Sequence, residues 1–348
     1  MIRRIIAAIL VIALIMNLSG CDTRNKRYQA SFLELFDTVT TIVGYAKDKD
    51  TFSEYAQMIH DSLEEYHELY DIYNNYEGIN NIKTINDNAG IKPVAVDQRI
   101  IDLLMVSKEA YEWSGGKKNI ALGAVLSVWH DYREAGLEDP EKAELPPMDL
   151  LQEKNRHTDI NKVIIDEAAS TVYLEDPEMR LDVGSIAKGY ATERVAQLLK
   201  EEGITGLLLS VGGNIRAIGY RDEKEPLWNV GIQNPDPESE NQYLLITQLA
   251  DMSVVSSGDY ERYYTVDGKR YHHIIDPDTL MPSAYFTAVS VITQDSGLAD
   301  ELTTIIYNMP LEKGKALIES LEGTEAMWVM KDGTLEYSSG FEAYIKSN

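Results

Sequence analysis

The order of helical and strand patterns along the chain places the strongest constraint on its fold. Apolar residues at helical spacing predict a helix over Thr51–Ile72, and Asp97 begins a second helix over Gln98–Trp113. From residue 162 onward, short strand patterns and single helices follow one another irregularly. A doubly wound fold requires a regular βαβ alternation, which this order lacks. We therefore predict an α+β fold, a single compact domain of mixed β-sheets flanked by helices.

Turn residues divide the second half of the chain into short elements. Two β-hairpins are predicted, one from 162–166 with 171–174 and one from 262–266 with 269–275. The second hairpin has Asp267-Gly268 at its turn, which suits a type I′ turn. The polar segment 131–159 contains three prolines and is expected to be a surface excursion.

The N-terminus has the features of a secretory signal. Arg3 and Arg4 precede an unbroken apolar run of 12 residues, Ile5–Met16, whereas a spanning helix needs about 20. Leu18-Ser19-Gly20-Cys21 then matches the bacterial lipoprotein cleavage pattern at the only cysteine of the chain. We predict a signal peptide at 1–20, lipidation of Cys21 and a lipidated tether over 21–30. This would hold the protein at the extracytoplasmic face of the bacterial cell membrane; the alternative is an uncleaved anchor.

Net charge limits the partners. The chain has 57 acidic and 32 basic residues, a formal net charge of −25, so nucleic acid is not expected as a partner. With one cysteine there is no intrachain disulfide and no thiolate zinc site. An acidic protein that handles phosphates needs a metal ion or a local cluster of N–H donors.

Three loops have residues suited to a phosphate or a closely approaching ligand. The first contains Asp182, Ser185 and Lys188 and leads into a helix, where backbone N–H groups can meet a phosphate. The others are Ser210–Asn214 with Gly212-Gly213, and Ser256–Tyr260 with Ser257. A helix cap with a surface lysine and tight bends between strands explain the same residues without a ligand.

Two further segments contain candidate catalytic and metal-binding groups. In an alternating strand His272 and His273 point to opposite faces, so a shared zinc is disfavoured, but one imidazole can face a cleft as a base. Asp300 and Thr304 are four residues apart on a predicted helix and share one face. Their hard oxygen atoms suit Mg²⁺. The alternatives are one packed imidazole, and an acid and threonines that serve only the helix.

Together and in this order, these segments resemble the ApbE-type FAD:protein FMN transferases. The resemblance begins at Phe36-Asp37-Thr38-Val39-Thr40, continues through 119–123 with Trp129 soon after, and includes LDVGSIAKGYA, SVGGNI, SSGDYER, HHIIDPDT and ADELTT. The chain departs from the family pattern at three places. Leu280 replaces the glycine of DPxTG, Phe36-Asp37 replaces Met-Gly, and the 118–124 segment has Lys118-Asn119 for Phe-Asp and Ala124 for proline.

The resemblance implies an ApbE-like, T-fold-related domain over 31–345. It implies Mg²⁺-dependent transfer of FMN from the substrate FAD to a Thr or Ser hydroxyl of an acceptor flavoprotein, with release of AMP. The acceptor would be a subunit of a membrane electron-transfer complex. Ser185, Asp300 and Thr304 match the metal positions, and His273 matches a catalytic base, with Asp300 also counted as catalytic. Positions expected to contact FAD are Phe36, Tyr73, Lys117, Lys118, Asn119, Asp182, Lys188, Gly212, Gly213, Ser257 and Ile275.

Two other functions fit the same residues. An FAD pyrophosphatase would use water in place of the acceptor hydroxyl. A lipid-anchored flavin- or solute-binding protein would have a signal and a pocket but no need for Asp300 and Thr304 on one helix face.

Overall fold

The computed structural model describes residues 25–222 and 224–347. The predicted signal peptide and Cys21 therefore lie outside the described residues. Strand β1 begins at Lys26, inside the segment 21–30 that we expected to be a tether.

The helices and strands alternate irregularly along the chain. The helices are α1 Lys49–Tyr70, α2 Ile82–Asp87, α3 Gln98–Trp113, α4 Gly123–Glu138, α5 Met148–Lys154, α6 Ala187–Glu201, α7 Ser296–Tyr307 and α8 Leu311–Glu319. The strands are β1 Lys26–Phe32, β2 Thr40–Ala46, β3 Val94–Ala95, β4 Val163–Asp166, β5 Thr171–Leu174, β6 Leu207–Val211, β7 Asn214–Ile218, β8 Trp228–Gln233, β9 Tyr243–Leu249, β10 Ser253–Gly258, β11 Tyr264–Val266, β12 Lys269–Tyr271, β13 Phe286–Thr293, β14 Glu325–Met330 and β15 Leu335–Tyr337.

An eight-stranded sheet in the order β1-β2-β6-β7-β10-β13-β14-β15 forms the centre of the fold. Neighbouring strands of this sheet pair antiparallel throughout. A smaller sheet has the order β3-β5-β4, and β8-β9 and β11-β12 are two-stranded. The predicted α+β class is confirmed, with helices flanking antiparallel sheets.

Alternate residues of the central strands face two different hydrophobic layers. On β10 and β13, Val255 and Val289 pack with α7, whereas Val254 and Ala288 pack with β8 and β9. Successive side chains of a strand point to opposite faces, which explains the near-continuous apolar sequences of these strands. Helices α1 and α6 cover the β2–β6 part of the sheet through residues such as Ile59 and Val195. This layer positions α6 beside α7.

Local signals predicted several elements well. Helix α3 has the predicted bounds because the Asp97 carboxylate accepts the N–H of Arg99 at 2.9 Å. The hairpin β4-β5 pairs as expected. Helix α1 begins two residues earlier than predicted, after the Asp48 cap, and ends at Tyr70.

Two predictions were wrong. The segment 131–159 is not a plain surface excursion, because α4 continues to Glu138 and α5 follows. Gly136 packs against the ring of Tyr264, which holds the end of α4 on the domain. Strand β12 ends at Tyr271 and does not reach Ile275, so His272 and His273 follow the strand.

Within residues 25–222 and 224–347, no helix combines the length and apolarity needed to cross a bilayer.

Candidate active site

A cavity of about 460 Å³ opens where α4, the N-terminal end of α6, α7 and the turn between β6 and β7 meet. All the site residues predicted above within the described chain line it except Gly213. Segments from distant parts of the sequence contribute to its wall, including 36–38, 70–74, 117–119 and 271–277.

Asp300 lies on the second turn of α7 and is 5% exposed. Its Oδ2 accepts two hydrogen bonds of 2.9 Å, one from the backbone N–H of Gly189 and one from the side-chain amide of Asn214. The helix cap is a different residue, Asp295, whose carboxylate accepts the N–H groups of Gly297 and Leu298. Asp300 therefore does not cap α7, and its hydrogen bonds reach outside that helix.

Thr304 lies one turn after Asp300 on the same helix and lines the same cavity. Ser185, in the loop before α6, lines the cavity with them. A carboxylate, a hydroxyl and a serine oxygen are hard ligands of the type that Mg²⁺ prefers. Because Oδ2 of Asp300 is already held by two donors, its orientation is fixed before any cation binds. The residues present therefore fit a hard divalent cation.

The loop before α6 and the first turn of α6 bring a carboxyl group and an ammonium group to the cavity. The Asp182 carboxylate accepts the N–H of Gly184 at 2.9 Å, and the Lys188 ammonium donates to the Gly184 carbonyl at 3.3 Å. Desolvation raises the pKa of Asp182, although the bond from Gly184 and the charge of Lys118 oppose this.

The 117–119 segment is anchored by polar contacts on both sides. The Lys117 ammonium donates to Asp276 at 2.8 Å and to Asp278 at 2.7 Å. Lys118 is buried, and its ammonium donates to the backbone carbonyl of Ser185 at 2.5 Å. The Asn119 amide donates to the carbonyl of Thr158. Their contact with FAD stays a prediction.

The two histidines have different environments. The imidazole of His273 is open to the cavity, and desolvation by the surrounding wall together with the charge of Arg262 lowers its pKa. His272 is 6% exposed, accepts the N–H of Ile274 on Nδ1 and donates from Nε2 to the Ser283 carbonyl at 2.8 Å. These contacts fix a neutral imidazole protonated on Nε2. His273 is therefore the histidine available as a base.

Aromatic side chains form one wall of the cavity. Tyr73 is 55% exposed and lies 5.5 Å, centroid to centroid, from His130. Phe36 lies across from His67, which accepts the backbone N–H of Phe36 at 3.2 Å. Open aromatic faces of this kind suit a planar ring system.

The other residues predicted to contact FAD lie at different places around the cavity. The Ser257 hydroxyl donates to Thr303 at 2.9 Å, so it braces α7 as well as lining the cavity. Gly212 lies at φ +56°, where a Cβ would come within 2.6 Å of the Thr38 hydroxyl. Ile275 is buried at the cavity edge, and Gly213 lies outside the lining.

Three residues at the departures from the family pattern have a left-handed backbone. Phe36 has φ 54°, Asp37 has φ 52° and Leu280 has φ 60°, a region that favours glycine. Leu280 is held there by burial and by the indole of Trp129, which donates to its carbonyl at 2.9 Å. Aspartate tolerates this region through local hydrogen bonding.

Sequence reasoning missed several residues of the site. Gly189 and Asn214 hold Asp300 but lie far from it in sequence, so no local signal links them. Arg133 and Arg262 also line the cavity. For Arg133 a signal existed, because Leu126, His130 and Arg133 recur at helical spacing along α4.

The sequence profile of the ApbE family matches residues 36–328. The chain belongs to the ApbE family. It is 35% identical over 272 residues to a FAD:protein FMN transferase of Treponema pallidum, covering 74% of this chain and 73% of that protein. A FAD:protein FMN transferase of Klebsiella pneumoniae is 32% identical over 259 residues, covering 74% and 77%.

Solved structures of the ApbE family share the fold. The ApbE protein of Thermotoga maritima superposes with a TM-score of 0.79 at 25% identity, covering 92% of this chain and 100% of that chain. The flavin transferase ApbE of Vibrio cholerae gives a TM-score of 0.75 at 23% identity, with coverage of 92% and 100%. The ApbE-like architecture expected from the motifs is confirmed.

Proposed function

We propose that this protein is a FAD:protein FMN transferase that uses Mg²⁺ and moves FMN from FAD to a Thr or Ser hydroxyl of an acceptor protein. The observation that carries this proposal is the placement of Asp300. Its carboxylate is oriented by Gly189 and Asn214 on the wall of a cavity that also contains His273 and Lys188. The similarity to curated FAD:protein FMN transferases supports the same substrate.

Asp300, Thr304 and Ser185 would hold the Mg²⁺. When bound, Mg²⁺ draws negative charge from the pyrophosphate of FAD and improves AMP as a leaving group. Lys188, in the first turn of α6, adds a positive charge for a phosphate oxygen. Because the protein has a net charge of −25, local cations are needed to bring a pyrophosphate into this cavity.

His273 would act on the acceptor. Its lowered pKa keeps the imidazole neutral at neutral pH, so it can accept the proton of the attacking hydroxyl. The hydroxyl oxygen forms a bond to the FMN phosphorus, and the bond from that phosphorus to the bridging oxygen breaks, so AMP leaves with the bridging oxygen. Phe36 and Tyr73 would border the isoalloxazine ring.

The test incubates the purified protein with FAD, MgCl₂ and a candidate acceptor from a membrane electron-transfer complex. Covalent flavin is then measured by fluorescence on a denaturing gel, and AMP and FMN by chromatography. We expect a fluorescent acceptor and one AMP per flavin transferred, both lost in EDTA. An acceptor whose Thr or Ser is replaced by alanine is the control. Free FMN as the main product would indicate a pyrophosphatase, and FAD binding without turnover would indicate a binding protein.

We also propose that Cys21 anchors the mature chain by lipid at the extracytoplasmic membrane face. This rests on the sequence pattern around Cys21, which lies outside the described residues. The Cys21→Ala protein should be absent from the membrane fraction or should retain residues 1–20. Intact-mass data showing residues 1–20 on the wild-type protein would overturn the proposal.

A further inference from the structure

A second buried carboxylate joins α6 to α7, close to the contact that holds Asp300. Glu193 lies on α6, four residues after Gly189, and is 4% exposed. Its Oε2 accepts the backbone N–H of Ser296, the first residue of α7, at 3.0 Å and the Nε–H of Arg216 at 3.0 Å. Ser296 lies four residues before Asp300. The two contacts between α6 and α7 are therefore about one turn apart on each helix, a rise of about 6 Å.

The two carboxylates are held in a reciprocal way. Asp300 belongs to α7 and accepts from a backbone N–H of α6 and from a side chain of β7, that of Asn214. Glu193 belongs to α6 and accepts from a backbone N–H of α7 and from a side chain of β7, that of Arg216. Asn214 and Arg216 are two residues apart on β7, so both side chains leave the same face of the strand. The same three elements are thus joined twice.

We propose that Glu193 is a positioning residue for Asp300. By fixing the first turn of α7 on α6 and β7, Glu193 sets the spacing at which Gly189 and Asn214 hold the Asp300 carboxylate. A single contact between two helices leaves them free to pivot about it, whereas a second contact one turn away removes that freedom. The consequence for Mg²⁺ rests on the function proposed above, but the orientation of the carboxylate does not.

The charges at the start of α7 suit this role. Asp295 caps the helix by accepting the two N–H groups that follow Ser296, so the N–H of Ser296 is left for Glu193. The positive end of the helix dipole also favours a carboxylate there. Arg216, whose side chain is 1% exposed, balances the charge of Glu193. A buried ion pair adds little net stability, because desolvation offsets the attraction, but it fixes where its partners lie.

The test compares three changes of the ion pair in the full chain. Glu193→Met with Arg216→Met removes both charges, since removal of one partner would leave an uncompensated buried charge. Glu193→Gln with Arg216→Met also removes both charges but keeps an oxygen that can accept the N–H of Ser296. Glu193→Asp keeps the charge on a side chain one methylene shorter, which cannot maintain the contacts to Arg216 and Ser296 together.

The matched control is Asp176→Met with Lys162→Met. The Asp176 carboxylate is also buried, and it accepts the backbone N–H of Glu178 at 3.0 Å and the Lys162 ammonium at 3.2 Å. Neither member of this pair lines the cavity.

Each protein is freed of metal with EDTA, and the exchange of the Gly189 N–H is measured by site-resolved hydrogen–deuterium exchange. Calorimetric titration with MgCl₂, without FAD, and the melting temperature complete the measurements. Exchange reports the hydrogen bond from Gly189 to Asp300 without any metal or flavin. A residue that only stabilised the fold would lower the melting temperature and leave this local protection and the Mg²⁺ affinity unchanged.

We expect the Glu193→Met, Arg216→Met protein to lose protection at Gly189 and to bind Mg²⁺ roughly tenfold more weakly. The Glu193→Gln, Arg216→Met protein should recover most of both, and the control should keep both even if it melts lower. Glu193→Asp should lose protection at Gly189 and decides the matter if the methionine pair fails to fold. Wild-type protection at Gly189 in the methionine pair or in Glu193→Asp would overturn this inference. Loss of that protection with no Mg²⁺ binding in any protein would support it and overturn the proposed metal site.

Discussion

The backbone N–H of Gly189 donates to the carboxylate of Asp300 over 2.9 Å, so the first turn of α6 and the second turn of α7 meet at the proposed metal site. A Cβ on Gly189 would lie 2.4 Å from Cβ of Asp300 and 2.4 Å from the carbonyl oxygen of Ser296. The hydrogen bond therefore depends on a residue without a side chain. The orientation of the carboxylate is a property of the contact between two helices.

Gly189→Ala should separate α6 from α7 at this contact. Overpacking of this kind costs about 1–3 kcal/mol of unfolding free energy. Because Asp300 moves, the FMN transfer rate should fall by more than the loss of folded protein explains. Urea unfolding and transfer rates measure the two effects. Gly314→Ala is the control, since its closest contact would be 3.3 Å, to the Trp328 ring. A Gly189→Ala enzyme with normal transfer would contradict the role given to this contact.

Asp300→Asn should abolish FMN transfer at ordinary Mg²⁺ and leave the melting temperature nearly unchanged. The amide retains an oxygen for Gly189 and Asn214 but removes the charge, and neutral oxygens hold Mg²⁺ poorly. Transfer rate against MgCl₂ measures the defect, and high MgCl₂ should rescue part of it. Asp295→Ala, which removes the α7 cap, should cost about 1 kcal/mol of stability and keep activity. If Asp300→Asn kept FMN transfer and Asp295→Ala lost it, Asp300 would not be a ligand of the metal.

His273→Ala should reduce transfer about 10²–10⁴-fold, the usual loss for a general base. Because desolvation and Arg262 lower its pKa, the neutral base persists below the ordinary value for histidine, about 6.5. The wild-type rate should therefore not decline at pH 6.5 but only at lower pH. A pH–rate profile under saturating FAD tests this, and a midpoint at or above 6.5 would argue against His273 as the base.

His272 should make folding stability depend on pH. Burial lowers its pKa in the folded protein, so in acid the unfolded chain binds a proton that the folded chain does not. Stability is present above about pH 6.5 and declines as pH falls towards the folded pKa, by at most about 1.4 kcal/mol per pH unit. Urea unfolding between pH 5 and 8 should show a shallower slope in His272→Gln.

Tyr73→Ala should weaken FAD binding more than it lowers the maximal rate. The exposed ring of Tyr73 lies beside His130 on the cavity wall, and aromatic stacking adds about 0.5–1.5 kcal/mol beyond area burial. Fluorescence titration with FAD should give a dissociation constant roughly 2–12-fold higher. Tyr220, which is 68% exposed outside the cavity, provides the control Tyr220→Ala. An unchanged constant for Tyr73→Ala would place the flavin elsewhere.

Elements with strong local signals could be predicted from the sequence. The Asp97 cap set the start of α3, and short apolar segments between turns gave β4 and β5. Helix α4 was not predicted, and its second half was taken for a surface excursion because its polar outer face and the following prolines hide the helical pattern from residue 131 onward. The sequence predicted that His272 and His273 lie in different environments, from the alternation of side chains along a strand. The strand ends at Tyr271, so alternation is not the cause.

The sequence by itself determined the class of the fold, the ordered motifs and the four-residue spacing that places Asp300 and Thr304 on one helix face, because these follow from local periodicity. Only the tertiary structure decided what holds Asp300. Gly189 lies 111 positions away and Asn214 lies 86 positions away along the chain. It likewise brought the ammonium of Lys118 to Ser185, 67 positions away. Such contacts arise from the packing of α6 and α7 on the central sheet, and no short-range pattern encodes that packing.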